Sequence, residues 1–207
     1  MYQTVYHVGD LSKKRQKPNL SYEGNTLSVS VHPKEWSKIA KKGGNVYKLT
    51  NPSANWFSAT KANEKKATEW ALQNGYIKSA VLYTLSWTDE ETEDTFSTTF
   101  DNLEDAQAEF DYMEEDEGRN SKLTKTNQGL VLDKKGIHWW KRTFTSSPKT
   151  ANLELIGNFV FLWFAEANEY DGVWWNEMLD IARLSAPRGG IFQHMLPRWQ
   201  VDLIGTI

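Results

Sequence analysis

Ala165-Glu166-Ala167-Asn168-Glu169-Tyr170-Asp171-Gly172-Val173-Trp174-Trp175 joins a helix to a strand through one tight turn. Upstream of it, Leu155, Ile156, Phe159, Val160, Leu162, Trp163 and Phe164 are too evenly apolar for a surface helix. The helix they predict is therefore buried on all sides. Tyr170-Asp171-Gly172 has the residue types of a sharp turn, and Val173-Trp174-Trp175 follows as a buried strand. A wholly buried helix that feeds a wholly buried strand belongs at the centre of a mixed α+β domain.

Outward from this centre the signals alternate. Gln3 to Val8 reads as a first strand, Thr26 to Val31 as a second, and Val46 to Leu49 as a third. A basic loop, Lys13 to Asn19, and a turn at Tyr22-Glu23-Gly24-Asn25 lie between the first two. His32-Pro33 opens a helix to about Ala40, stopped by Gly43-Gly44. Lys61 to Asn74 is an amphipathic helix with Ala62, Ala67, Trp70 and Ala71 towards one side. Ile77–Trp87 and Thr92–Phe100 form a long hairpin. Asn102 caps a helix to about Glu115, with Leu103, Ala106, Phe110 and Met113 at helical spacing. Short strands are predicted at Lys122–Thr126, Leu130–Leu132 and His138–Phe144. Ser185 to Gly190 reads as a loop, and Ile191-Phe192 and Trp199–Ile204 as final strands. The expectation is one domain over residues 1–207, with a mixed, mainly antiparallel sheet.

The 207 residues include no cysteine, which excludes disulfides, thiolate nucleophiles and Cys-ligated zinc. Four dispersed histidines form no metal-binding pair on one helix face, so no metal is expected. Neither a P-loop nor a Rossmann glycine pattern is present. No signal peptide and no apolar run of spanning length is read, so the expected location is cytoplasmic and away from membranes. Charge is uneven. Residues 1–80 carry 13 Lys/Arg against 5 Asp/Glu, whereas residues 81–118 carry 14 Asp/Glu and no Lys/Arg. Ten tryptophans fit a core, a stacking platform or a ligand cleft equally well.

Three segments stand out together: Tyr6-His7 closing the first strand, Tyr22-Glu23-Gly24 leading to Leu27-Ser28-Val29-Ser30 and Trp36, and the Ala165–Trp175 turn. Their order resembles the ADP-ribosyltransferase superfamily over residues 2–40 and 155–193. The resemblance implies a two-sheet ADP-ribosyltransferase-like core with residues 81–118 as an acidic hairpin-helix insertion. It implies NAD as substrate, with ADP-ribose passed to a macromolecular acceptor or NAD hydrolysed, as in a toxin or mobile-element protein. His7 would then contact a ribose hydroxyl, and Tyr22 or Trp36 would stack on nicotinamide. Ser28 and Ser30 would then lie on the strand that binds the cofactor. Glu177 would stabilise the oxocarbenium-like transition state by placing negative charge where positive charge develops. Many members set that Glu at the start of the final strand. Here Pro187-Arg188-Gly189-Gly190-Ile191 stands there, and Asp171 and Asp180 compete with Glu177.

Each residue also has a purely structural reading. His7 fits a satisfied strand-end histidine, and Ser28 and Ser30 fit the outward face of a half-buried strand. Arg188 either clamps a phosphate bidentately or pairs with an acidic neighbour. The acidic segment, with Phe96, Phe100, Phe110 and Tyr112 interleaved, reads as a solvated face or as a nucleic-acid-mimicking surface that binds a basic protein partner. No direct nucleic-acid binding is expected.

Overall fold

A computed structural model of the chain describes residues 2–11, 23–33, 44–88, 93–115, 121–148, 155–175 and 188–206. Two sheets organise it. The larger has seven strands: β1 (Thr4–Val8), β2 (Thr26–Ser30), β3 (Asn45–Thr50), β4 (Trp56–Ala59), β8 (Gly172–Trp175), β9 (Arg188–Phe192) and β10 (Gln200–Thr206). Their order is β10-β3-β1-β2-β9-β8-β4. Only β4 and β8 pair in parallel; the other neighbours are antiparallel. The smaller sheet has the order β6-β5-β7, from β5 (Ile77–Thr88), β6 (Thr95–Phe100) and β7 (Ser121–Leu132). The fold is thus α+β with mixed and mainly antiparallel pairing.

Four α-helices are described: α1 (Lys61–Gln73), α2 (Leu103–Glu115), α3 (Lys134–Thr143) and α4 (Ile156–Ala167). The apolar run read from the sequence is α4, and every residue from Phe159 to Ala165 is buried. Phe57 of β4 packs on Phe164 with ring centroids 4.8 Å apart, and Trp139 of α3 meets Trp163 edge-on at 5.5 Å. Ala67 and Ala71 are fully buried where α1 lies against α4. The tryptophans at 56, 139, 140, 163, 174, 175 and 199 are all buried, so the aromatic richness builds core.

Capping follows the residue types. Thr60 Oγ1 accepts from Asn63 N at the start of α1, and Asn102 Oδ1 accepts from Asp105 N at 2.7 Å at the start of α2. Gly75, at φ +72°, turns the chain out of α1.

Several expectations are corrected. His138–Phe144 is not a strand: His138 to Thr143 belong to α3 and Phe144 is its C-cap. Gly136, Trp139, Trp140 and Thr143 are its buried residues, at spacings of three, four and seven. That helical period outweighs the strand preference of the aromatics. Lys122–Thr126 and Leu130–Leu132 are one strand, β7, carried past an irregularity opposite Ala80 and Leu82. Arg188-Gly189-Gly190 is strand, not loop. β4 was not anticipated. Leu103 and Ala62 are exposed, although the helical pattern set them inward. The helix expected over Pro33–Ala40 lies almost wholly outside the described residues, as do residues 185–187 of the expected loop.

Candidate functional site

β1, β2 and β9 are neighbours at the middle of the large sheet, and they carry His7, Ser28, Ser30 and Arg188. The β1–β2 ladder has a single Cα pair, Tyr6 with Ser30. Beyond it, His7 Nδ1 lies 2.8 Å from the carbonyl oxygen of Ser28. The imidazole therefore takes over a bond that a continuing ladder would have made. A carbonyl oxygen can only accept, so Nδ1–H is the donor in this bond. The ring also stacks near Tyr47 of β3, at 6.5 Å.

On the other side of β2, Ser30 pairs with Arg188 and Ser28 with Gly190. Alternation then puts Ser28, Ser30, Tyr6 and Arg188 on one face, and His7, the residue after Tyr6, on the other. The strands converge while these side chains divide between two faces. Ser28 and Ser30 do not face solvent, since every residue of β2 is buried. Burial lowers the pKa of Arg188 from the ordinary arginine value, because the guanidinium has lost part of its water. Tyr22, Trp36, Glu177 and Asp180 lie outside the described residues.

Asp171 is a structural carboxylate. It is 2 % exposed, its Oδ2 accepts from Asn55 N at 2.7 Å, and Arg198 stands 3.8 Å from its Oδ1. Its own N–H donates to Asn55 O, and its carbonyl accepts from Phe192 N. It ties β4, β9 and the 3-10 helix Gln193–Arg198 to the turn before β8.

Sequence reading passed over Glu23. The residue is 7 % exposed, and Ser28 Oγ donates to its Oε2. Thr26 Oγ1 donates to its carbonyl at 2.9 Å. Next to it Gly24, at φ +59°, presses on α3 and α4. A Cβ there would lie 3.2 Å from both Leu162 Cδ1 and Trp139 Cζ2. Glu23 lines a cavity of about 260 Å³. Trp139, Leu162 and Phe192 form its apolar wall, and Arg142, Glu166 and His194 its exposed rim. Glu166 Oε1 and His194 Nδ1 are 4.0 Å apart. One sequence signal pointed here. Thr26, Ser28 and Ser30 put three hydroxyls on one face of a strand, and a buried polar face needs a polar partner.

Among the described residues no group of three or more His, Asp or Glu side chains is arranged to hold a metal ion. Also among these residues, no helix is long and apolar enough to cross a membrane. Comparison of the chain with protein-family models, with curated proteins and with solved structures returns no match.

Proposed function

We propose that this chain is an NAD-binding, ADP-ribosyltransferase-like protein that transfers ADP-ribose to a macromolecular acceptor or hydrolyses NAD. The reading is supported by the side-by-side placement of β1, β2 and β9, with β8 beside β9. The Tyr-His strand, the Ser-bearing strand and the strand that follows the Tyr-Asp-Gly turn are thereby brought together. Arg188 sits opposite both Ser30 and Trp175. Its partly dehydrated guanidinium suits a pyrophosphate, whose paired oxygens match the guanidinium fork.

In this reading NAD lies where β1 and β2 part. His7, oriented through Nδ1, would hydrogen-bond a ribose hydroxyl, and Tyr22 and Trp36 would stack on nicotinamide. Glu177, two residues past the end of β8, would stabilise the oxocarbenium-like ribose as nicotinamide leaves. Calorimetric titration with NAD, with nicotinamide release followed in parallel, tests it. The expected result is saturable binding with release. Glu177→Gln should bind NAD but lose turnover by roughly 100-fold or more. Absence of binding at millimolar NAD, or full turnover in Glu177→Gln, would remove the assignment.

A second reading rests on α2. Glu104, Asp105, Asp111, Tyr112 and Glu114 are exposed on it, and Phe96 of β6 is 46 % exposed. Glu114 has a pKa below the ordinary glutamate value, chiefly because Ser121 N donates to it and secondarily because Ser121 Oγ does. A non-enzymatic inhibitor of a basic protein would use this face. Binding to a basic partner should then weaken with salt, and neutralising Asp111, Glu114 and Glu115 together should reduce that salt dependence. Unchanged salt dependence would count against it.

A further inference from the structure

We infer that the cavity between α3 and α4 takes a free aromatic amino acid, held as a zwitterion by Arg142 and Glu166 and independent of NAD. The two helices build the site on one plan. Trp139 and Arg142 are three residues apart on α3, and Leu162 and Glu166 are four apart on α4. Both spacings put the two residues on one helix face. In each pair the apolar residue is buried, and the charged residue one turn further on is exposed. All four line the cavity. Its wall is therefore apolar within and charged at the mouth, and the two helices supply opposite signs.

The polar groups of the floor are engaged within the fold. Thr143 Oγ1 donates to Trp139 O, Thr26 Oγ1 donates to Glu23 O, and Glu23 Oε2 is taken by Ser28 Oγ. A ligand is left with the apolar walls and the charged mouth. Trp139 and Phe192 are buried aromatic walls, which pack well on the face or edge of another ring. Arg142 has no ion pair among the described residues, and its fork of donors matches a carboxylate. Glu166 faces His194 at 4.0 Å. Such a half-exposed pair contributes little, so an ammonium group can compete for the carboxylate. Both mouth charges also act on Tyr76. Burial raises its phenol pKa most, and beyond that Glu166 raises it while Arg142 lowers it, so the two charges lie near one group. At about 260 Å³ the space is below the roughly 300–1,000 Å³ of sites for drug-sized ligands, and it suits one amino acid rather than a dinucleotide.

Calorimetry on the full chain with L-phenylalanine, phenethylamine and hydrocinnamate separates the contacts. Phenethylamine lacks the carboxylate of phenylalanine, and hydrocinnamate lacks the amine. Phenylalanine should bind saturably and each analogue roughly tenfold or more weakly, as expected for hydrogen bonds to charged groups. Arg142→Gln should erase the advantage of phenylalanine over phenethylamine and keep its advantage over hydrocinnamate. Glu166→Gln should do the reverse. Both replaced side chains are exposed, and the three-ligand comparison on the unmodified chain stands without either variant. Equal binding of the three ligands, no binding of phenylalanine at millimolar concentration, or an advantage that survives in its matching variant would overturn the proposal. Equally tight binding of N-acetyl-phenylalanine amide, which carries neither charge, would also overturn it. A loss of NAD binding with phenylalanine binding intact would affect only the cofactor reading.

Discussion

At the scale of single residues, Tyr76 shows how core packing sets a titration. Its ring lies 5.0 Å from Trp163 and 5.3 Å from Trp70, and Lys135 Nζ stands 5.9 Å from the ring centroid. Burial raises the phenol's pKa most, and Glu166 raises it further, while Arg142 pulls it down. The raised value means that the unfolded chain ionises first as pH rises. Stability from this group is complete below the unfolded pKa of about 10 and is lost as pH climbs through the folded value. Urea unfolding at pH 8 and above pH 10 should show a fall in stability that is shallower in Tyr76→Phe. An identical fall in both proteins would mean that Tyr76 is not the group responsible. Glu23 shows why such residues are hard to read from sequence. Nothing in Tyr22-Glu23-Gly24 distinguishes a solvated turn carboxylate from a buried one. The distinction comes from Leu162 and Trp139, which are far away in the chain and close down on Gly24.

At the scale of elements, spacing was legible where the period was clean. α4, α2, the β5–β6 hairpin and β1 to β3 follow from it. β9 did not, because Gly189-Gly190 carries the punctuation of a turn. Those glycines are strand residues because their neighbours leave no room for a side chain. A Cβ at Gly189 would lie 2.4 Å from Trp174 Cε3, and one at Gly190 would lie 2.1 Å from Thr26 Oγ1. Glycine here marks close approach across the sheet rather than a change of direction. Gly190→Ala should therefore cost about 1–3 kcal/mol by overpacking. It should also disturb Thr26, and with it the turn at Glu23. Gly157 in α4 is the contrast, since a Cβ there meets nothing within 4 Å. Gly157→Ala should stabilise the protein by about 0.5–1 kcal/mol. Chemical denaturation of the two variants checks both signs, and equal shifts would refute the space argument.

At the scale of the whole molecule, some buried apolar residues stand apart from the main core. One continuous core runs from Val5 and Leu27 through α4 to Ile77 and Leu132, and so joins the two sheets. Leu85, Ala106 and Met113 are buried outside it, where α2 packs on β5, β6 and β7. The charge map divides in a similar place, since residues 81–118 hold 14 acidic and no basic residues. Mutual repulsion on α2 is therefore opposed by a small apolar contact. Its lower local stability should appear in hydrogen exchange. Amides of α2 and β6 should exchange faster than those of β2, β9 and α4, and added salt should narrow the gap by screening the carboxylates. Leu85→Ala, costing about 2–5 kcal/mol, should speed exchange around α2 and leave α4 protected, whereas Phe159→Ala, costing about 3–5 kcal/mol, should speed it everywhere. If Leu85→Ala lowered protection equally in α2 and α4, the two apolar groups would form one cooperative unit, and the acidic segment could not open independently to meet a partner.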